Sequence, residues 1–321
     1  MIRLMGKRVR ITEVAARDGL QNESAIVPTA SKAELIRRLA SAKPDEIEAT
    51  SFVSPKWIPQ LGDAEQLLAS LLPLECELSA LVPNEQGMRR LLDVNAQAKE
   101  RFGRVIVSKA SVFAAASEGF SKKNTNASIA EVIERFKPVI ALARENGLHT
   151  RGYISCIVRC PVDGDVHPGQ VADVTTRLLN IGVEEIDLGD TIGAATPESL
   201  GSVLDAVLAV CKAQPPAHDG STWAKLDAPP VTIHLHDTFG QASACVMESL
   251  RRGIRSFDSS VAGLGGCPYA GSTQGRAPGN VSTETLVDAI SSAGFECGID
   301  RKELSKAAEF ARALVSGELP A

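Results

Sequence analysis

Aromatic side chains are scarce in this sequence. Two Trp, two Tyr and nine Phe make up 4% of 321 residues. A core so poor in rings must be filled by aliphatic side chains, and the chain is 44% hydrophobic. A basic excess is also lacking: the net charge is −5 and the pI is about 5.7. That disfavours a nucleic-acid partner, which calls for a basic stripe. It leaves an anionic small substrate open, because local arginines and a metal can reverse the field inside one pocket. No window approaches the roughly eighteen apolar residues of a membrane span. The seven cysteines are an odd number without a CxxC, so no disulfide framework is offered. The start, MIRLMGKRVRITEV, lacks the apolar centre of a secretory signal. Together these absences predict a reduced, cytoplasmic protein.

What is present is a regular alternation. Short β-branched runs each lead through a turn into a stretch of helical period. The expected strands are Val9–Val14, Glu46–Ser51, Glu77–Val82, Arg104–Ser108, Thr150–Ser155, Glu185–Leu188, Val231–His236 and Ser256–Ala262. Ser31–Leu39, Ala130–Ala143 and Val171–Leu179 read as helices between them. Alternation implies a parallel sheet with helices outside it, and eight units suggest closure into a (β/α)₈ TIM barrel, an α/β fold. An open doubly wound sheet would want GxGxxG after its first strand. Here that strand leads into Ala15-Ala16-Arg17-Asp18-Gly19, and the glycine-rich run comes late. We expect one domain over 1–321, its core at about 9–290 and a helical extension at about 291–321. Ala213–Pro230 reads as an exposed insertion, and Gly263–Asn280 as a glycine-rich mobile loop at the barrel mouth.

Barrel enzymes carry their reactive groups at the C-terminal ends of the strands. The first strand ends in Arg17-Asp18-Gly19, with Gln21 and Asn22 following. Glu48 and Ser51 lie on the second strand, Asp190 ends the sixth, and the seventh carries His234 and His236. Two histidines spaced by two on a strand share one face. With a carboxylate from another strand, for which Asp18 is the candidate, they make a mixed N/O site for a divalent ion. One core histidine and one exposed histidine is the plainer alternative. Arg17 beside Asp18 is either a surface pair or a cation placed to stabilise an enolate oxygen. Glu48 and Asp190 either act directly or tie strands together. Cys267, inside Gly-Leu-Gly-Gly-Cys-Pro-Tyr, is either inert or an acid–base group at a charged mouth. Asn280 is either a fourth ligand through its amide oxygen or a helix N-cap.

Several segments resemble hydroxymethylglutaryl-CoA lyases. They are Arg17-Asp18-Gly19-Leu20-Gln21-Asn22-Glu23, the run from Glu48 to Gln60, Leu188-Gly189-Asp190-Thr191-Ile192-Gly193, the run from His234 to Gln241, and the run from Val261 to Tyr269. They stand in family order over nearly the whole chain. The resemblance implies a barrel of the metallolyase superfamily, with Mg²⁺ or Mn²⁺ held by Asp18, His234, His236 and Asn280. It implies retro-Claisen cleavage of 3-hydroxy-3-methylglutaryl-CoA to acetoacetate and acetyl-CoA. Arg17 would stabilise the enolate and Cys267 would help protonate it, with His234, Glu48 and Asp190 as candidate bases. Gln21, Ser51 and the Lys122-Lys123-Asn124 segment would face the acyl-CoA thioester, and the partner would be this thioester alone or with a second copy in a homodimer.

Three departures from the family pattern bear on substrate. The mouth loop is a few residues longer and carries Arg276. Asp187 stands where the family commonly has Ser, and Arg159 and Val162 change the segment after the fifth strand. They leave open a lyase for a related 3-hydroxy acyl-CoA. A Claisen synthase or aldolase, and a barrel that binds acyl-CoA without turning it over, are the remaining alternatives.

Overall fold

Each barrel strand alternates two kinds of residue. In Glu46-Ile47-Glu48-Ala49, Glu185-Ile186-Asp187-Leu188 and Thr232-Ile233-His234-Leu235 the polar member recurs every second position. A strand turns successive side chains to opposite faces, so one face is apolar and the other polar. The computed structural model, which describes residues 7–214, 221–265 and 279–318, follows this rule. The strands are β1 (Arg10–Glu13), β2 (Glu46–Ser51), β3 (Glu77–Leu81), β4 (Lys109–Ala115), β5 (His149–Ser155), β6 (Arg159–Cys160), β7 (Gly164–Asp165), β8 (Glu185–Asp190), β9 (Val231–Leu235) and β10 (Ser256–Ser259). Eight of them close a barrel in the order β1-β10-β9-β8-β5-β4-β3-β2. All its pairs are parallel, and β1 meets β10 with Arg10 opposite Ser256 and Glu13 opposite Ser259. β6 and β7 form a small antiparallel hairpin outside the barrel.

The apolar members, among them Ile11, Ile47, Val112, Ile154, Ile186, Leu188, Ile233 and Phe257, are fully or almost fully buried and join one cluster with the surrounding helices. Helices at Thr29–Ser41, Glu85–Phe102, Ile129–Glu145, Pro168–Asn180 and Pro197–Ala213 cover the barrel. The core is aliphatic, as composition demands, and it lies between barrel and helices. The lumen is polar. At its N-terminal end Arg151 donates to Glu185 at 2.7 Å, and Lys109 bridges Glu46 at 2.6 Å and Glu185 at 2.7 Å. Arg10 pairs with Glu46 from below at 2.5 Å. Buried charges persist when paired in this way.

The fourth strand departs from expectation. Arg104–Ser108 is β-branched but is an approach segment, and the strand begins at Lys109. Before Ser108 the backbone is held by a side chain instead of a strand: Asn95 Oδ1 accepts from the Ile106 N–H at 3.2 Å and the Val107 N–H at 3.0 Å. The insertion reading also needs correction. Within it Ser221–Leu226 is helical, with Trp223 and Leu226 buried. A last helix, Arg301–Ser316, packs on the Thr29–Ser41 helix and buries Leu304, Ala307, Ala308 and Ala311.

Candidate metal centre and active site

The rim begins with a kink. After β1 the chain makes one π-helical turn, Ala15–Gly19, in which the Val14 carbonyl accepts from the N–H groups of Arg17, Asp18 and Gly19 at 3.1, 2.8 and 3.1 Å. Such turns recur at functional sites because they re-aim side chains. This one swings the Arg17 and Asp18 side chains over the lumen. Gly19 must be small, since a Cβ there would meet Leu264 and Ser260 at 3.0 Å.

β9 delivers His234 and, one step past its end, His236. Asn280 arrives from the far end of the chain and pairs with His236 as an antiparallel bridge. The Asp237 N–H donates to Gly279 at 2.9 Å, and the Val281 N–H to Leu235 at 2.8 Å. Asn280 is therefore not an N-cap. Ser282 caps the following helix by accepting from the Thr285 N–H at 3.0 Å. Gly265 passes over the site at φ +98°, where a Cβ would meet Asn280 Nδ2 at 2.6 Å and the Asp18 carbonyl at 3.1 Å.

One ligand atom each from Asp18, His234 and His236 lies within 4.8 Å of the others. Their protonation states suit a cation. Burial would push the Asp18 carboxyl up, but Arg17, His234 and His236 outweigh it and hold it down at about 2. Burial and the neighbouring His234 depress His236 to about 4, so it is a neutral imidazole. Burial also disfavours the His234 cation, yet Asp258 and Asp18 carry its pKa above the usual value. Asn280 donates through Nδ2 to Asp18 at 2.8 Å and to the Leu264 carbonyl at 3.0 Å. Its Oδ1, buried beside His236, accepts no well-aligned hydrogen bond. Half a turn of the amide would present that oxygen with the other three donors. A set of two imidazoles, one carboxylate and one amide oxygen fits a divalent ion.

Outer partners hold these groups. His234 Nδ1 lies 3.1 Å from Asp258 Oδ2, which also accepts from the Tyr153 hydroxyl at 3.2 Å. The Tyr153 ring carries Arg17 at 5.5 Å and Arg151 at 5.8 Å. Arg17 is buried and bound by both Glu48 and Asp18. Burial raises the Glu48 pKa in spite of Arg17. Asp190 is engaged by backbone rather than by these side chains. Its oxygens accept from the Ala194 N–H at 3.0 Å and the Ala195 N–H at 2.8 Å, fixing the loop that leads to the 197–213 helix. Burial nevertheless raises it to about 6.

The remaining predicted residues are more dispersed. Ser51 is buried at the end of β2 and accepts from the Val53 N–H at 3.2 Å. Gln21 lines a cavity of about 310 Å³ with Trp57, Ile58 and Gln60. Lys122, Lys123 and Asn124 are exposed on the helix Glu118–Thr125 that follows β4. Cys267 and Arg276 lie outside the described residues. Arg159 and Val162 are exposed on and beside the β6–β7 hairpin, while Asp187 is fully buried within the lumen. Sequence reasoning assigned no role to Tyr153 or Asp258. Their signal was the polar member of the strand alternation.

A family model described as HMGL-like matches residues 8–311. A mitochondrial hydroxymethylglutaryl-CoA lyase of Arabidopsis thaliana is 44% identical over 95% of this chain, which spans 59% of that protein. The mitochondrial enzyme of that name from Bos taurus is 42% identical over 95% of this chain and 85% of its own length. The crystal structure of an HMG-CoA lyase from Brucella melitensis superposes with a TM-score of 0.85 at 45% identity, covering 97% of this chain and 99% of that one. A structure of an HMG-CoA lyase from Acenitobacter baumannii in complex with coenzyme A and 3-methylmalate gives a TM-score of 0.83 at 28% identity, covering 98% of this chain and 93% of that one. The compartment read from composition is corrected here, because these two relatives are named mitochondrial. Likeness of sequence and of fold runs from one end of the barrel to the other, and on it the chain belongs to the HMGL-like family.

Proposed function

We propose that this protein cleaves 3-hydroxy-3-methylglutaryl-CoA into acetoacetate and acetyl-CoA, with Mg²⁺ or Mn²⁺ held by Asp18, His234, His236 and Asn280. The observation that carries this reading is the meeting of the Asp18, His234 and His236 donors within 4.8 Å, beside the buried Arg17. The relatives named above are lyases of this thioester. When bound, the cation supplies Lewis acidity, lowering the pKa of a tertiary hydroxyl and anchoring the adjacent carboxylate.

The residues supply the rest. Arg17 cannot swing freely, being gripped by Glu48 and Asp18 and seated against Tyr153. A fixed guanidinium aimed at the mouth stabilises enolate charge as the C2–C3 bond breaks, without reorganisation at that moment. Three groups were candidates for the proton acceptor. Asp190 accepts one backbone N–H on each oxygen, while His234 and Glu48 stand with Asp18 and Arg17. Glu48 keeps Oε1 free of hydrogen bonds, and burial raises its pKa, the direction a proton acceptor needs. Cys267 is our candidate for enolate protonation. Gln21 and Ser51 face the acyl chain in this reading, and Lys122, Lys123 and Asn124 meet the phosphates of the coenzyme.

The test is direct. Metal-reconstituted protein is incubated with the thioester, and acetoacetate and acetyl-CoA are measured with and without chelator. Chelator-sensitive release of both products in equal amounts is expected. No release from protein shown to hold Mn²⁺ would discard this substrate.

A further inference from the structure

Glu13, the last residue of β1, has no part in the chemistry above, yet it is 1% exposed and fully engaged. Its Oε1 accepts from the Ala15 N–H at 3.0 Å and the Val261 N–H at 3.0 Å. Its Oε2 accepts from the Thr283 hydroxyl at 2.6 Å. Ser259 lies 2.9 Å from the same Thr283 oxygen and donates to it in turn. The three donors belong to three stretches of chain. Ala15 opens the π-turn that carries Arg17 and Asp18, Val261 follows β10, and Thr283 begins the helix three residues after Asn280.

All three donors are neutral. Glu284 on the 283–292 helix adds a like charge, and burial raises the Glu13 pKa to about 7. A carboxyl placed there is costly, so its use lies in geometry rather than in ion pairing.

We propose that Glu13 is a positioning residue, a tether that fixes the Asp18 turn relative to the segment bearing Asn280 and so sets the spacing of the two oxygen donors of the cation site. This rests on the reading of that site given above. The two donors come from opposite ends of the sequence, and the Asp18–Asn280 contact of 2.8 Å links them only at their tips. The tether works one layer below, where each root is held. A glutamine can serve equally well: its oxygen accepts from both N–H groups and its amide donates to Thr283. The tether thus needs the shape and the acceptor of Glu13, not its charge.

Mn²⁺ binding by calorimetry, with thermal melts alongside, tests this on the intact chain. Glu13→Ala is expected to weaken Mn²⁺ affinity by about 10–100-fold, the usual effect of removing an outer partner of a metal ligand. Thr283→Val, which removes one arm only, should weaken it by less. Glu13→Gln and Thr283→Ser should stay within about threefold of wild type, and substrate KM at saturating Mn²⁺ should be unchanged in every variant. Wild-type affinity in both Glu13→Ala and Thr283→Val overturns the tether. So does a Glu13→Gln variant as weak as Glu13→Ala, which would make charge the agent. If Glu13→Ala does not fold, Thr283→Val against Thr283→Ser decides alone. Wild-type protein that binds no Mn²⁺ would instead remove the cation site itself.

Discussion

The two ends of the barrel lumen are both charged, but they balance differently. At the N-terminal end Arg10, Lys109 and Arg151 surround the buried carboxylates Glu46 and Glu185. These three cations hold the Glu46 carboxyl well below the usual range despite its burial. Towards the C-terminal end the carboxylates are Asp18, Glu48, Asp187 and Asp258, and Arg17 is the cation set among them. Arg151 reaches only the lower edge of this group, 3.6 Å from Asp258 and 3.9 Å from Asp187. The floor is neutralised by the protein itself, whereas the rim has negative charge left over. A surplus of that kind calls for a proton or a cation, and it sits at the end where barrels place their chemistry.

If this contrast is right, changes at the two ends should separate activity from stability. His236→Ala should cost on the order of 10³ in kcat/KM, the several kcal/mol that a bound Lewis acid supplies. Its melting temperature without metal should stay near wild type, since a buried neutral imidazole carries no ion pair. Lys109→Met should do the reverse. It takes one cation from Glu46 and Glu185, leaving them to Arg10 and Arg151, and should cost about 3 kcal/mol in denaturant unfolding, the low end for breaking a buried pair, while the folded fraction keeps its turnover. A Lys109→Met protein of normal stability would dissolve the comparison.

Smaller effects sharpen it. Mn²⁺ at a hundred times its Kd should stabilise the wild type by about 2.7 kcal/mol, reversibly with chelator, and His236→Ala should lose that shift. The smallest effect belongs to Asp187. Burial, and then the neighbouring Asp258, raise its folded pKa well above that of a free aspartate. A carboxyl raised on folding favours the native state at low pH, and that contribution is lost as pH climbs towards the folded value. Asp187→Ser should therefore flatten this limb and raise stability at pH 8 by about 1 kcal/mol, the low end of what replacing buried charge yields. A pH–stability curve parallel to wild type would show that Asp187 is already compensated.

Much of this was readable beforehand, for identifiable reasons. The barrel followed from alternation between strands and helices, and the polar lumen from alternation within strands. The His234–His236 pair showed itself because a period of two is local. Arg104–Ser108 misled because β-branched residues suit any extended backbone, and Asn95, some ten residues upstream, decides which stretch enters the sheet. Glu13 and Asp258 were opaque because their partners lie up to 270 residues away in sequence. The kink that aims Arg17 and Asp18 depends on a Val14 carbonyl shared by three N–H groups, which no single residue type signals.

The meeting of residue 18 with residue 280 also has a consequence in time. Asp18 is made early in synthesis, and its partner Asn280 follows 262 positions later. β1 pairs with β10, so the sheet closes only when the last of its strands is available. A growing chain therefore has two histidines and an aspartate in hand well before it has a site. Contacts of such long range slow folding and couple it to completion of the chain. Metal capture in this fold therefore comes late, and a chain truncated before Ser256 should remain without the closed barrel and without its ion.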